Sequence, residues 1–203
     1  TGDSAWQKIY IINEFSSDII TDFAFGDVND DGFDDIIYSP YSGIKKIRVL
    51  INPTDNSSNW EEIILTEEAR TVIGVFDINT DGWNDIIYED VTTHINYYKN
   101  NSGEFTESVL IYNPTYTLTL CKTADIDLDG DIDIVGHFNS TGTLFFKNQG
   151  DGTVNTTIIS SDFYEHQLAV DDFDGDGYLD VMIRYSASIK IALFDLLSGE
   201  YDT

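Results

Sequence analysis

Residues 125–133 read DIDLDGDID, and variants of this stretch occur three more times, as DVNDDGFDD at 27–35, DINTDGWND at 77–85 and DFDGDGYLD at 172–180. The copies begin about 48 residues apart, and a short apolar run follows each one. A motif that recurs at such a period indicates a chain built from structural repeats. The sequence therefore predicts four repeats within a single domain that spans residues 1–203.

Each copy supplies oxygen-bearing side chains at loop positions 1, 3, 5 and 9, with glycine at position 6. Calcium takes six to eight oxygen ligands, and alternate residues of a tight loop can direct their oxygens at one centre while glycine allows the sharp turn. The pattern predicts about four Ca²⁺ ions, one per loop, with the backbone carbonyl at position 7 as a further ligand. The predicted ligands are Asp27, Asn29, Asp31, Phe33 and Asp35 in the first loop, Asp77, Asn79, Asp81, Trp83 and Asp85 in the second, Asp125, Asp127, Asp129, Asp131 and Asp133 in the third, and Asp172, Asp174, Asp176, Tyr178 and Asp180 in the fourth.

The residues after each loop exclude the EF-hand as the source of this spacing. An EF-hand has a bidentate glutamate at loop position 12, where this chain has Tyr38, Tyr88, Gly136 and Ile183. The apolar runs at these points are rich in β-branched side chains, which favour buried strands over helices. Each loop is therefore predicted to join two strands.

Metal-free acidic turns are the simplest alternative to calcium sites, because Asp, Asn and Gly favour turns by themselves. Four copies with the same ligand positions favour calcium over that alternative. Magnesium demands stricter geometry, and zinc prefers the His or Cys ligands that these loops lack. The second loop has the fewest carboxylates and is predicted to be the weakest of the four sites.

Each repeat can be divided into four short strands, and the junction between the first two repeats is predicted to hold separate strands at 61–65 and 72–76. The fourth repeat offers only three strands, and its missing strand is predicted to come from residues 7–12. The predicted fold is thus all-β: a β-propeller of four blades, each with four antiparallel strands, in which the N-terminal strand completes the last blade.

The acidic loops and the segments around them resemble a known family. The motif D-x-[DN]-x-D-G-x-x-D with strands on both sides resembles the FG-GAP and VCBS repeats of calcium-binding β-propellers, such as the integrin α-chain head. Residues 100–105 and 148–153 are similar to that family's N-x-G-x-G-x-F exit from a blade. Phe-Gly occurs once, as Phe25-Gly26, without a following Ala-Pro, so the resemblance is closer to the VCBS type. It implies a calcium-binding propeller that serves adhesion, carbohydrate recognition or polysaccharide cleavage.

Composition limits the partners and the location. The formal net charge of −27 disfavours nucleic acids and anionic membranes, whose phosphates the chain would repel. No apolar stretch has the length of a transmembrane helix, so membrane insertion is not expected. The single cysteine, Cys121, excludes an internal disulfide framework and is predicted to be a buried, inert thiol. Loops of this kind suit the millimolar calcium found outside cells, which predicts an extracellular or cell-surface location.

No pattern of catalytic residues emerges from the sequence. His94, His137 and His166 occupy different places in their repeats, and nucleophile elbows, phosphate-binding glycine loops and HExxH are lacking. The chain is therefore predicted to be a non-catalytic extracellular calcium-binding module for adhesion to, or recognition of, carbohydrate or protein ligands. Two alternatives stay open: a structural subunit of a surface assembly that self-associates by exchange of terminal strands, and the propeller domain of a polysaccharide-degrading enzyme.

Overall fold

The computed structural model describes residue 11 and residues 20–40, 45–55, 57, 59–162, 165–185, 188–195 and 200–202. These residues form fifteen β-strands and no helix, so the described part holds no helix that could cross a membrane. The strands are β1 (Ile20–Gly26), β2 (Asp35–Pro40), β3 (Lys46–Ile51), β4 (Glu61–Phe76), β5 (Asp85–Asp90), β6 (Ile95–Asn101), β7 (Glu104–Tyr112), β8 (Leu118–Ala124), β9 (Asp133–Phe138), β10 (Gly142–Asn148), β11 (Val154–Ser160), β12 (Glu165–Asp171), β13 (Asp180–Tyr185), β14 (Ser188–Asp195) and β15 (Glu200–Asp202).

The strands form three sheets in which all paired neighbours are antiparallel. Strands β1 to β7 form one sheet in chain order, β8 to β11 form a second, and β12 to β15 form a third. The predicted all-β antiparallel architecture is confirmed. The prediction of four separate four-stranded sheets is wrong for the first two repeats, because these share one seven-stranded sheet.

The long strand β4 joins the first two repeats. Separate strands were predicted at 61–65 and 72–76, whereas β4 runs without a break from Glu61 to Phe76. Its first half pairs with β3 and its second half pairs with β5. The intervening residues 66–71 (TEEART) contain neither Gly nor Pro, so the local sequence does not end the strand. The boundary between the first two repeats therefore falls inside one strand.

Strand β15 completes the third sheet, that of the fourth repeat, by pairing with β14 at the edge where the N-terminal strand is predicted. The prediction that the fourth repeat lacks a strand of its own is therefore wrong. Apart from residue 11, residues 7–12 lie outside the described part of the chain. Strand β15 contains only three residues with one aromatic side chain, which is too short to show the alternation by which strands are recognised.

Three hydrophobic clusters lie between consecutive repeats. Strands β5 and β9 contribute to two clusters each, because neighbouring residues of a strand point to opposite faces of the sheet. Ile86 packs against the first repeat and Ile87 against the third, while Ile134 and Val135 pack against the second and fourth repeats. A strand buried on both faces needs a continuous apolar run, which explains the sequence that follows each acidic loop.

The first strands of successive repeats lie side by side. Strand β1 lies against the second half of β4, which in turn contacts β8, and β8 contacts β12. At the end of β1, a Cβ on Gly26 would lie 2.5 Å from Cγ1 of Val75, so this approach requires glycine. Since an acidic loop follows each of these first strands, the packing brings the four loops to one edge of the array.

Two buried polar side chains connect successive repeats through the backbone. The hydroxyl of Ser39 donates to the carbonyl of Ala69 at 2.8 Å, and Oε1 of Glu89 accepts the N–H of Leu118 at 2.9 Å. Burial raises the pKa of Glu89, and Arg70 approaches its second carboxylate oxygen at 3.5 Å. Each contact joins the second strand of one repeat to the first strand of the next.

The two ends of the row of repeats expose apolar side chains. On β1, Phe23 and Phe25 are 57% and 55% exposed, and on β14, Ile189, Ile191 and Leu193 are 66%, 44% and 37% exposed. Among the residues that the structure describes, no fourth cluster connects the last repeat to the first. Burying such side chains contributes about 1.5–3 kcal/mol each, so these faces favour a covering partner.

Candidate metal centre

All four acidic loops occupy the same place in the repeat, between its first and second strands. The glycine at position 6 has a positive φ in every loop, from 85° to 101°. A Cβ added there would meet nothing within 4 Å, so the backbone conformation, and not a lack of space, requires glycine. The predicted turn is therefore confirmed at Gly32, Gly82, Gly130 and Gly177.

The carboxylates at positions 1 and 5 hold each turn together. In every loop the position-1 carboxylate accepts the N–H of the position-6 glycine, at 2.7 to 3.1 Å. The position-5 carboxylate accepts the N–H of position 7, also in all four loops, at 2.8 to 3.1 Å. These repeated bonds join groups of the protein itself and give the acidic side chains the same arrangement in all four loops. The position-7 carbonyls of Phe33, Trp83, Asp131 and Tyr178 stay predicted ligands.

The aspartate at position 9 lies buried beneath each loop, with at most 1% of its surface exposed. One carboxylate oxygen accepts the N–H of loop position 2, and the other accepts an N–H at or just after the end of the third strand of the same repeat. In the third loop, Asp133 accepts from Ile126 at 3.0 Å and from Asn148 at 2.8 Å. In the first, third and fourth loops, each oxygen keeps a second lone pair that can ligate a metal ion. The residues concerned are Asp35, Asp85, Asp133 and Asp180.

Burial makes these position-9 carboxylates costly to ionise. It raises the pKa of Asp133 to about 7 and that of Asp85 to about 6, even though two backbone N–H groups favour the charged form of each. The pKa of Asp35 is raised for the same reason. A divalent cation beside these groups would offset the cost of ionisation.

Three carboxylates converge in the third loop and three in the fourth. Oxygens of Asp125, Asp127 and Asp133 lie within 4.8 Å of one another, as do oxygens of Asp172, Asp174 and Asp176. Within the described ranges these are the two groups of acidic side chains that meet this spacing. Both belong to the predicted ligand sets, so the structure brings together part of what the sequence predicts.

The first and second loops differ from the third and fourth, because their position 3 is asparagine and not aspartate. The amide of Asn29 donates to Asp31 at 3.0 Å, and the amide of Asn79 donates to Asp85 at 2.8 Å. In these two loops the position-3 side chain is a neutral amide that donates a hydrogen bond to a carboxylate. In the other two loops the same position holds another carboxylate. Asparagine still supplies an amide oxygen, which suits calcium.

Buried oxygens in the third loop lack hydrogen-bond partners in the described structure. They are Oδ1 of Asp125 and Oδ1 of Asp127, and only 9% of Asp127 is exposed. A buried carboxylate oxygen without a donor is unfavourable by roughly 1–3 kcal/mol or more. An all-oxygen set with unsatisfied buried members fits a hard cation such as calcium.

The repeats match a known family in sequence. The profile of the FG-GAP-like repeat family matches residues 77–136 and again 125–183. Together the two matches extend from the second acidic loop into β13 and cover just over half of the chain. This chain belongs to the FG-GAP-like repeat family. No curated protein sequence matches the chain.

The FG-GAP-like chain also resembles solved structures. One is described as the structural basis of specific recognition of non-reducing terminal N-acetylglucosamine by an Agrocybe aegerita lectin. The TM-score is 0.62 with 20% sequence identity, and the alignment covers 89% of this chain and 50% of that chain. At this identity the similarity is one of fold, and this chain spans half the length of the lectin chain.

The FG-GAP-like repeats contain an asparagine whose role the sequence analysis missed. It lies within two residues of the end of the third strand, and its backbone N–H donates to the position-9 carboxylate in the first three repeats. Its side-chain amide donates to the carbonyl of loop position 8, at 2.9 to 3.3 Å. Two of these residues stand in the blade-exit motif, but only the folded chain shows what they bind. They are Asn52, Asn100 and Asn148.

The acidic loops of neighbouring FG-GAP-like repeats are joined by hydrogen bonds. The amide of Asn84 donates to the carbonyl of Asp27 at 2.8 Å, and the N–H of Leu179 donates to the carbonyl of Ile126 at 3.3 Å. The second loop instead contacts the exit of the third repeat, through the hydroxyl of Thr80. The four loops therefore form one connected edge.

Position 4 of every loop also has a left-handed backbone, which the sequence analysis did not detect. Only the fourth loop has glycine there, Gly175, while Asp30, Thr80 and Leu128 have φ values of 60°, 54° and 59°. Leucine tolerates this conformation poorly, because its Cβ approaches the following carbonyl. Leu128 and the β-branched Thr80 are therefore the strained members of the set.

Replacing Leu128 with asparagine is expected to stabilise the protein. Asparagine adopts the left-handed conformation more readily, so Leu128→Asn should add about 1 kcal/mol to the free energy of unfolding and raise Tm. Thermal unfolding in chelator measures this effect. The control is Leu110→Asn, which changes an equally exposed leucine on β7 and should give no gain. Equal shifts in the two variants would contradict the backbone explanation.

Proposed function

We propose that this chain is an extracellular, calcium-stabilised β-propeller module that recognises a carbohydrate or protein ligand and performs no chemistry of its own. The observation that carries the proposal is the common geometry of the four loops. Each loop is organised by the same hydrogen bonds, and in two of them three carboxylates converge. Membership of the FG-GAP-like family supports the same conclusion.

Calcium would be held by the oxygens at positions 1, 3, 5 and 9 and by the position-7 carbonyl. Its contribution would be electrostatic: it neutralises carboxylates that repel one another in a chain of net charge −27. A bound ion stabilises the folded state because the ligands are assembled only there. The ion would therefore make the connected loop edge rigid.

The propeller architecture is supported by the order and packing of the sheets. Within each repeat the strands run antiparallel in chain order, and the first strands of successive repeats lie side by side. A propeller arranges its blades in this way around a central axis. The similarity in fold to the lectin, over half of that chain, fits a four-blade segment of a larger ring.

A cleft between the third and fourth repeats is a candidate binding surface. It encloses about 640 Å³ and combines apolar residues such as Ile158 and Ile191 with the ion pair of Asp162 and Lys190. Sugars need an apolar surface for their C–H faces and polar groups for their hydroxyls, and this cleft offers both. Recognition of a sugar by the similar lectin supports carbohydrate as the ligand class.

The proposal that the chain has no catalytic activity is supported by the environments of its histidine and cysteine side chains. His94 pairs with Asp90 at 3.3 Å on an exposed turn, whereas His137 is buried beside Thr143. Burial raises the pKa of Cys121 to about 11, so its thiol is a poor nucleophile at neutral pH. His166 lies where side chains are not described.

A second candidate function is that of a subunit in a surface assembly. The exposed apolar faces on β1 and β14 favour it, because a neighbouring copy could cover both ends of the row. Light scattering tests this candidate: assembly predicts a mass that grows with concentration, and a constant 22.9 kDa would contradict it.

The proposal is tested by a glycan array probed in millimolar calcium and again in EDTA, with Tm measured in both. We expect calcium to raise Tm and the array to give hits that EDTA abolishes. Magnesium at equal concentration is the control and should raise Tm less. An unchanged Tm in calcium would contradict calcium stabilisation. If calcium raises Tm but no glycan on the array binds, carbohydrate is contradicted as the ligand and a protein ligand is favoured.

A further inference from the structure

Two of the four loops have a lysine at the same structural position. The residue before the third-strand N–H that binds the position-9 aspartate is Lys99 in the second repeat and Lys147 in the third. In the first and fourth repeats the equivalent residues are Ile51 and Leu193. The hydrogen bond itself defines the equivalence, so it does not depend on a sequence alignment.

Both lysines extend into the acidic loop of their own repeat. The ammonium group of Lys147 contacts Oδ2 of Asp127 and lies 3.1 Å from Oδ2 of Asp129. The ammonium group of Lys99 lies 3.3 Å from Oδ2 of Asp81. All three aspartates are predicted calcium ligands, so ammonium and calcium require the same oxygens.

The lysine satisfies the third loop only in part. Oδ1 of Asp127 and Oδ1 of Asp125 stay buried without a hydrogen-bond partner in the described structure. One positive charge therefore faces a loop in which three carboxylates converge. A divalent ion would use these free oxygens, but it must first displace the ammonium group from Asp127 and Asp129.

We propose that Lys99 and Lys147 are internal counter-cations that compete with calcium, so that the second and third loops fill at higher calcium concentrations than the first and fourth. The inference rests on the proposed calcium binding and deepens it by ranking the sites. When an internal group occupies the binding position, the apparent affinity for calcium equals the intrinsic affinity multiplied by the fraction of time for which the position is free. Two ion pairs of this exposure reduce it about fivefold.

This competition would make the four loops bind calcium in two steps as its concentration rises. The first and fourth loops lack the lysine, and they lie at the two ends of the row of repeats. The two inner loops retain a cation when calcium is scarce, which limits repulsion among their carboxylates. The end loops have no lysine at the equivalent position, so repulsion among their carboxylates is offset only when calcium binds.

Calcium titration of lysine variants by isothermal calorimetry tests the proposal. Lys147→Met and Lys99→Met keep the aliphatic stem and remove the charge. Lys147→Met removes two ion pairs and should tighten one site about fivefold, whereas Lys99→Met removes one and should tighten its site about twofold. The matched control is Lys190→Met, which removes an ammonium group that pairs with Asp162 outside the loops. It should leave all site affinities unchanged. Equal affinities in wild type and Lys147→Met would overturn the proposal.

The converse variant places a lysine in a loop that lacks one. Leu193→Lys should weaken one site about fivefold, whereas its control Leu193→Met should not. Tryptophan-sensitised terbium luminescence from Trp83, at position 7 of the second loop, gives an independent measure of Lys99→Met. A wild-type chain that binds no calcium would contradict the proposed function. A wild type that binds calcium with sites unaffected by Lys99 and Lys147 contradicts only the counter-cation role.

Discussion

Replacing Gly142 with alanine is expected to destabilise the protein by about 3 kcal/mol or more, because the new Cβ has no space. Gly142 begins β10 with a φ of 101°, and a Cβ there would lie 2.0 Å from the carbonyl oxygen of Ser160. That neighbour is backbone, so no rotation of a side chain relieves the clash. Strands β10 and β11 would have to separate where they pair. Urea unfolding followed by circular dichroism measures the loss.

Gly103 provides the matched control for this prediction. It also has a left-handed backbone, with a φ of 87°, and it also precedes a strand in a tight turn. A Cβ on Gly103 would meet nothing within 4 Å, so Gly103→Ala incurs only the conformational cost of about 1 kcal/mol. If both variants lose the same stability, the clash with Ser160 is not the cause.

The second large effect is expected for Asp133→Ala. The Asp133 carboxylate is fully buried and accepts the backbone N–H groups of Ile126 and Asn148. Alanine leaves both donors without an acceptor, and each unsatisfied buried group costs about 1–3 kcal/mol. We therefore expect a loss of about 3 kcal/mol or more, in chelator as well as in calcium. Thermal unfolding under the two conditions provides the measurement.

Asp129→Ala distinguishes residues that support the loop from residues that are predicted to ligate a metal. Asp129 is partly exposed, and its carboxylate accepts the N–H of Asp131 and contacts Lys147. Its loss should change Tm little in chelator but should lower Tm in calcium, because a ligand of the third site is gone. A large loss in chelator would show that Asp129 supports the fold. A loss for Asp133→Ala confined to calcium would show that Asp133 serves only the metal.

The contrast between these residues explains how the loops can be acidic and still fold. The position-9 aspartate is held from below by two backbone donors, while position 1 is held by the glycine N–H of its own loop. Such bonds satisfy part of each carboxylate and direct the remaining oxygens outward. A ligand that enters meets groups already in place, which reduces the entropy lost on binding.

Features that depend on neighbours in sequence were predictable. The turn could be predicted from the alternate acidic residues and the glycine, because all of them lie within one segment of nine residues. The β-branched runs after the loops dictated β2, β5, β9 and β13, which begin at the predicted position-9 aspartate. The FG-GAP resemblance followed from the same local pattern and is confirmed by the family match.

Features that depend on residues distant in sequence required the folded chain. Strand β4 continues through the repeat boundary because β3 and β5 both supply partners, and β15 forms because β14 leaves an edge. Lys147 is twenty residues from Asp127, and no local pattern indicates that its ammonium group enters the acidic loop. The sequence by itself determined where the four acidic loops and their following strands lie, since local spacing controls both. Only the tertiary structure decided which backbone groups bind the buried aspartates and which loops are contacted by a lysine, because those contacts join residues distant in sequence.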